Sequence, residues 1–232
     1  EDPFSDYAHN VGRFTSEYGF QTFPAWNSLQ YIFGEDKPDI DSEIFSQRQK
    51  SYKGNRLIFQ HLERHFPKPE TMMQLSYLSQ INQARGVGYA VQNHRIDQPH
   101  SMGSLFWQFN DTWPAISWSS LEYNGERRAL YYEIKDSFND PGLFIDTLNN
   151  GIDAVLVNDK GSSINGILEY CLMDTQGKKY QSYSIKMEVN SNDLGRYSLD
   201  ELFPLLEELD RRETLLFVTY RDSTNLVSLI HS

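Results

Sequence analysis

The sequence predicts an α/β region followed by an all-β region, and three observations support this. A strand, helices, a second strand and a further helix follow one another in the first 138 residues, an order typical of β/α units in a parallel sheet or barrel. Asn139-Asp140-Pro141-Gly142 is then a strong turn and boundary signal. Beyond it, short β-favouring stretches are spaced as in a small antiparallel sandwich of immunoglobulin type.

Composition narrows the classes of function. A chain of 232 residues is long enough for one or two domains with a sizeable core. Its net charge of −11 argues against nucleic acid and anionic membrane as partners, and no stretch of about 18 apolar residues occurs. Cys171 is the single cysteine, so the sequence holds neither an intrachain disulfide nor a multi-cysteine metal site. A lone cysteine favours a cytoplasmic location over a lysosomal or secreted one, which both stay open, and we expect no cofactor and no metal.

The first element is a strand predicted over Arg13–Ser16, which runs into Glu17, Tyr18 and Gly19. Side chains at the carboxyl ends of parallel barrel strands face the reaction centre, so Glu17 is a candidate nucleophile or acid/base. The alternative is a glutamate that caps the next helix or pairs with Arg13.

The segment between the two strands reads as loop and helix. Residues 21–26 suggest an irregular aromatic loop, and Gly34–Gln49 suggests short helix and loop. One helix is predicted from Asn55 to Phe66. A longer helix should begin near Glu70 or Thr71. Its apolar stripe comprises Met72, Leu75, Leu78, Ile81 and Val91.

Two glycines, Gly86 and Gly88, interrupt the long helix and indicate close packing or a kink. The second strand is predicted over Ser104–Phe109, and the last helix of this region over Asn124–Phe138. The residues of that helix expected to be partly buried are Ala129, Leu130, Tyr132 and Ile134.

Five strands are predicted in the all-β region: Leu143–Leu148, Ile152–Asn158, Ile164–Met173, Tyr180–Val189 and Leu215–Tyr220. Asn150-Gly151, Lys160-Gly161 and Gln176-Gly177 are the turns between them, and Asp200–Leu209 should form a short helical turn.

Two motifs carry a family resemblance. The first is Ser16-Glu17-Tyr18-Gly19, and the second is Trp107-Gln108-Phe109-Asn110-Asp111, which continues through Ser117-Trp118 and Ser120-Leu121-Glu122-Tyr123. Together they resemble the β-mannosidases, a branch of the retaining glycoside hydrolases that also contains β-galactosidases and β-glucuronidases. The match covers roughly Arg13 to Phe138.

The resemblance implies a fold class of α/β plus all-β. Residues 1–140 would be the C-terminal portion of a TIM (β/α)8 barrel, with strands 7 and 8 and their helices. Residues 141–232 would be an immunoglobulin-like β-sandwich that is incomplete.

The same resemblance implies roles for particular residues. Glu17 matches the family's nucleophile at the end of the seventh strand, and Trp107 matches the tryptophan that floors the sugar subsite after the eighth. Tyr18, Asp111 and Trp118 are expected to contact substrate as well. The peptide bond between Trp107 and Gln108 is expected to be cis.

One part of the family's pattern is missing. The family's acid/base glutamate follows an asparagine at the end of the fourth strand, and no Asn-Glu pair occurs in this sequence. The acid/base is therefore expected in a preceding part of the same polypeptide, which would also supply the first six strands. By itself the chain is expected to be inactive.

Three functions are compatible with these patterns. The leading one is an exo-acting retaining β-mannosidase that acts on terminal β-mannose of an oligosaccharide or glycoside. The second is a related β-galactosidase or β-glucuronidase, and the third a non-catalytic carbohydrate-binding relic.

Other acidic and nucleophilic residues in the sequence have competing interpretations. Asp111 either binds a sugar hydroxyl or holds the Asn110–Trp113 turn, and Glu122 is expected to orient the loop before the last helix. His61 and His65 have the i, i+4 spacing of metal ligands but no third partner, so packing or surface roles are favoured. Ser16 lacks the glycine-bracketed turn of a serine hydrolase.

Overall fold

The structure is a computed structural model that describes residues 3–34, 39–148, 151–210, 212–224 and 226–231. The chain divides into two compact units, Glu1–Ser137 and Phe138–Ser232. The first mixes helices with a parallel strand pair, and the second contains antiparallel sheets, which confirms the predicted fold class. In the described part of the chain, no helix is long and apolar enough to cross a membrane.

The strands of the first unit are β1, Thr15–Tyr18, and β2, Ser104–Phe106, and they pair in parallel. The N–H of Thr15 donates to the carbonyl of Gly103 at 2.8 Å, and Tyr18 lies opposite Phe106. The strand β1 begins two residues later than predicted. Glu17 and Tyr18 therefore lie inside the strand rather than after it.

Helices surround this strand pair. They are α1, Trp26–Phe33; α2, Glu43–Arg48; α3, Arg56–His65; α4, Met72–Ile96; and α5, Ala129–Ser137, with a 3-10 turn at Phe4–Ala8. The helix α1 is not among the elements that the sequence predicts, and it begins at Trp26, the last residue of the predicted aromatic loop. Residues 35–38 of the predicted Gly34–Gln49 stretch lie outside the described residues.

The helix α5 begins five residues later than predicted. The N–H of Gly125 donates to the carbonyl of Glu122 at 2.9 Å, and Gly125 has a φ of 85°, so this segment is a turn. Tyr132 is 53% exposed, which corrects the expectation that it is partly buried.

The long helix α4 is capped as its sequence suggests. The Thr71 hydroxyl accepts from the N–H of Gln74, whose side chain accepts from the N–H of Thr71. A Cβ at Gly86 would lie 2.5 Å from the Phe4 ring, and one at Gly88 would lie 2.1 Å from a carboxylate oxygen of Glu133. The predicted close packing at both glycines is confirmed.

Within its described residues, the second unit contains seven strands: β3, Gly142–Asp146; β4, Asp153–Asn158; β5, Ile164–Asp174; β6, Lys179–Val189; β7, Asp193–Ser198; β8, Thr214–Arg221; and β9, Leu226–His231. They form two antiparallel sheets, β3-β4-β7 and β6-β5-β8-β9. A 3-10 turn at Asp200–Leu202 and the helix α6, Phe203–Glu208, occupy the predicted helical turn. Asn150 of the predicted Asn150-Gly151 turn lies outside the described residues.

The core of the second unit lies between its sheets. Leu156 of one sheet and Leu168 and Val218 of the other are fully buried in one hydrophobic cluster. Burial alternates strictly along β8, as expected of a strand with one face against a core. The strands β7 and β9 were not predicted. The sequence of β7, with Asp193, Gly195 and Arg196, carries little apolar signal.

Candidate active site

Glu17 and Trp107 lie at the same end of the strand pair. Glu17 is exposed in the second half of β1, and Trp107 directly follows β2 and is 48% exposed. The N–H of Trp107 donates to the carbonyl of Tyr18 at 2.6 Å, which fixes the two strand ends to each other. Since both strands run in the same direction, this is the edge where barrel enzymes place their reacting groups.

Gly19 permits this close approach. A Cβ at this position would lie 2.0 Å from the carbonyl oxygen of Trp107, a backbone atom, and 3.5 Å from Cδ1 of Trp118. Any larger residue would therefore push the Trp107 backbone away from β1. Trp118 is partly buried beside Gly19. The peptide bond between Trp107 and Gln108 is cis, as predicted.

The loops that follow the two strands are bonded to each other through their backbones. The N–H of Gln108 donates to the carbonyl of Trp118 at 3.2 Å, and the N–H of Thr22 donates to that of Ser117 at 2.9 Å. The 117–118 segment thus lies between the loop after β1 and the segment after β2. The ends of both strands are therefore held by one hydrogen-bonded network of loop residues, which is called the support below.

Asp111 is buried within this support, with 4% of its surface exposed. Its Oδ1 accepts from Nζ of Lys50 at 2.6 Å. Its Oδ2 accepts from the hydroxyls of Ser117 and Ser119 and from Arg128. Because both oxygens are engaged inside the protein, the contacts favour the turn-holding role of Asp111 over contact with a sugar hydroxyl.

Arg128 is the centre of the support, and the sequence did not point to it. Its side chain is fully buried and donates to Oε1 of Glu122 at 3.1 Å and to the carbonyl of Ala115 at 3.0 Å, in addition to Asp111. In the sequence, Arg128 is next to Arg127, which is exposed, and two adjacent arginines suggest two cations on the surface. Only the three-dimensional contacts distinguish them.

Glu122 has the role that was expected of it. Its Oε1 accepts from Nε of Arg128 and also from the N–H of Ala25 at 2.6 Å. One carboxylate oxygen therefore ties the loop before α1 to the loop before α5.

Tyr18 points away from Glu17, because neighbouring side chains in a strand face opposite sides. It is 8% exposed, and its hydroxyl lies 2.7 Å from Oγ of Ser104. Burial raises the pKa of Tyr18 to about 12, against the hydrogen bond to Ser104, which lowers it. These contacts favour a supporting role over the predicted contact of Tyr18 with sugar.

A cavity of about 370 Å³ lies beside β1. Thr15, Glu17, Tyr7 and His94 are among the residues that line it. Open space therefore adjoins the strand that carries Glu17.

The two histidines with metal-ligand spacing pack against aromatic rings. His61 is 2% exposed, and its ring centroid lies 5.0 Å from that of Phe4 and 4.6 Å from that of Phe20. His65 stacks on Phe4 at 5.3 Å. Among the residues that the structure describes, no group of three or more His, Cys, Asp or Glu side chains is placed to hold a metal ion.

A parallel strand pair with its helices, followed by a sandwich unit, fits the C-terminal part of a glycoside hydrolase barrel and the domain after it. Within that class, comparison with known proteins indicates the β-mannosidases. The chain is 38% identical over 133 residues to a β-mannosidase of Capra hircus, covering 52% of this chain and 15% of the relative. It is 35% identical over 139 residues to a β-mannosidase of Bos taurus, covering 54% and 16%. No protein-family model matches the sequence.

Solved structures agree. A β-D-mannosidase from Dictyoglomus thermophilum matches with a TM-score of 0.87 and 27% identity, over 99% of this chain and 28% of that chain. An exo-chitosanase of Amycolatopsis orientalis matches with a TM-score of 0.75 and 16% identity, over 99% of this chain and 29% of that chain, which shows the fold alone. These similarities confirm the resemblance to β-mannosidases drawn from the motifs. The chain spans about 15% of the length of the curated relatives.

Proposed function

We propose that this chain carries the nucleophile and the sugar platform of an exo-acting, retaining β-mannosidase. The observation that carries the proposal is the pairing of an exposed Glu17 with an exposed Trp107 at the carboxyl ends of adjacent parallel strands. A carboxylate is the attacking group of retaining glycosidases, and an aromatic face suits the C–H side of a sugar ring.

In the proposed mechanism, the Glu17 carboxylate attacks the anomeric carbon of a terminal β-mannose. The bond to the leaving oxygen breaks as a second carboxylic acid protonates that oxygen, and a covalent glycosyl-enzyme forms. The second group, now a carboxylate, removes a proton from water, which attacks the anomeric carbon. The bond between that carbon and Glu17 breaks, so the Glu17 carboxylate is restored and mannose is released with its configuration retained.

The second carboxyl group should stand about 5 to 5.5 Å from the first in such enzymes. Asp111 and Glu122, the acidic residues that flank Trp118 in the sequence, are both buried and held by Arg128. Since the sequence also lacks the family's Asn-Glu pair, we assign the acid/base role to a glutamate outside this chain. On this proposal the chain alone does not turn over substrate.

The test uses the natural full-length protein that contains this sequence. We expect it to hydrolyse an aryl β-mannoside, and Glu17→Ala to lower kcat by about three orders of magnitude or more while leaving the thermal unfolding midpoint unchanged. Azide, a small nucleophile, should partly restore turnover of the variant and give a glycosyl azide of inverted configuration. Glu43→Gln, which alters an exposed carboxylate on α2, is the matched control and should leave kcat as it is.

The same assay separates the other functions. Faster turnover of the aryl β-galactoside or β-glucuronide than of the aryl β-mannoside would show that the protein is a β-galactosidase or β-glucuronidase instead. Sugar binding without turnover of any of the three would favour a carbohydrate-binding module. Full activity in Glu17→Ala would assign the nucleophile elsewhere.

A further inference from the structure

Three side chains from three different elements form a hydrogen-bonded chain directly behind Glu17. The hydroxyl of Tyr18 on β1 lies 2.7 Å from Oγ of Ser104 on β2. That oxygen lies 2.8 Å from Nδ1 of His94 on α4. Tyr18 is 8% exposed and His94 is 4% exposed, so both ends of this Tyr18–Ser104–His94 chain are buried, beside the cavity that Glu17 also lines.

The direction of donation is assigned from the hydrogen-bonding capacity of the three groups. Burial raises the pKa of Tyr18 to about 12, so the phenol keeps its proton at neutral pH. We assign that proton to the bond with Oγ of Ser104, and the Ser104 hydroxyl then donates its own proton to Nδ1 of His94. Nδ1 is then the acceptor of a neutral imidazole, in agreement with burial, which lowers the pKa of His94.

The backbone of Tyr18 connects this chain to both proposed sugar contacts. Tyr18 directly follows Glu17, and its carbonyl accepts from the N–H of Trp107 at 2.6 Å. Tyr18 thus connects the Tyr18–Ser104–His94 chain to the segment that presents Glu17 and to the bond that holds Trp107.

We infer that Ser104 and His94 are positioning residues for the reaction, which hold Tyr18 and through it set Glu17 against the sugar on Trp107. This inference rests on the proposed function. Both residues act on where the nucleophile stands, and a displacement of about 1 Å at a reacting group can cost as much as a hundredfold in rate.

The test measures how fast Glu17 is labelled in the natural full-length protein. The probe is 2-deoxy-2-fluoro-β-mannosyl fluoride, which should form a stable ester with the nucleophile, located by peptide mass spectrometry. Ser104→Ala and His94→Phe should each lower the labelling rate by about tenfold to a hundredfold. With an aryl β-mannoside, kcat should fall by a similar factor while KM changes little, since the interaction acts on the transition state.

Two further variants distinguish positioning from packing. Tyr18→Phe keeps the ring and removes only the hydroxyl, so it should slow labelling as much as Ser104→Ala does. Because both substitutions break the same hydrogen bond, the double variant Tyr18→Phe/Ser104→Ala should be labelled no more slowly than either single variant. His94→Asn places an amide oxygen where Nδ1 accepts, and it should recover most of the rate lost in His94→Phe. Ser137→Ala, which removes a serine hydroxyl bonded to Glu133 on α5, should label at the parent rate.

The outcomes are separable. Labelling of the parent at a residue other than Glu17 would overturn the proposed function and this inference with it. Labelling at Glu17 that stays at the parent rate in Ser104→Ala and Tyr18→Phe would overturn the inference alone. So would a His94→Asn variant that labels no faster than His94→Phe, because a packing role does not need an acceptor.

Discussion

The two units of this chain bury charged side chains to different extents. In the second unit, four apolar residues of β4 are buried, the cluster between the sheets consists of hydrophobic residues, and the buried carboxylate of Asp146 pairs with the exposed Arg196. In the first unit, large apolar residues on or beside the strands are exposed, among them Phe14 at 58%, Leu105 at 55% and Phe109 at 58%. Arg128, Asp111 and Glu122 are buried in the same unit.

The difference in burial between the two units matches their different roles. The sandwich unit follows the common rule that apolar residues lie inside, and its contacts serve stability. The first unit buries charge in order to hold loops and leaves an acidic and an aromatic side chain in the open. Residues that break the usual pattern of burial are therefore concentrated around the candidate site.

The largest effect is expected from the buried charges. Arg128→Met should lower the free energy of unfolding of the first unit by about 3 to 5 kcal/mol, because it leaves two buried carboxylates without their shared partner. Denaturant unfolding followed by tryptophan fluorescence reports on this unit, because all four tryptophans lie within residues 1–137.

Arg127→Met is the matched control. It removes the neighbouring cation, which is exposed and stacks over Tyr131 at 5.0 Å, and it should change the unfolding free energy little. Equal effects of the two substitutions would show that the buried network does not hold the unit together.

The sequence indicated the sandwich through local pattern and the site through motif. Alternation and turn signals located five of the seven strands in the described part of the second unit. The strand β7 was missed because the polar residues Asp193 and Arg196 obscure the alternation of apolar and polar residues along it. Glu17 and Trp107 were identified from the sequence motifs that contain them. Arg128, Ser104 and His94 could not be, since their roles depend on contacts between residues far apart in the chain, such as Ser104 with Tyr18.

The second prediction concerns the apolar core of the second unit. Leu168→Ala should lower its free energy of unfolding by about 2 to 5 kcal/mol, because Leu168 is fully buried and its truncation leaves a cavity. Far-UV circular dichroism during denaturant unfolding, followed at the β-sheet signal, measures the effect.

Glu169→Ala, one residue along the same strand, provides the comparison. Glu169 is exposed and pairs with Arg221 at 3.3 Å on the surface, so its loss should cost about 1 kcal/mol or less. If Leu168→Ala were as mild as this control, the cluster between the sheets would not be the main source of stability in the unit.

The smallest effect is expected at Glu133, a partly buried carboxyl on α5 that packs against Gly88. Burial raises the pKa of Glu133, and Asp136 acts in the same direction, against the hydrogen bond that Ser137 donates to it. A raised pKa in the folded state means that the carboxyl contributes fully to stability below its unfolded-state pKa, and that this contribution is lost as the pH rises through the folded-state value.

Glu133→Gln should therefore raise the Tm of the first unit at neutral pH, because glutamine stays uncharged and still accepts from Ser137. The advantage over the parent should shrink as the pH falls, since the parent carboxyl is then protonated as well. Tm values from tryptophan fluorescence measure this from about pH 4, near the titration of a free glutamate, up to about pH 8. Glu63→Gln, which changes an exposed carboxyl on α3, should show no such pH-dependent gain. A Glu133→Gln advantage that is constant across the range would mean that the gain comes from packing and not from the titration of Glu133.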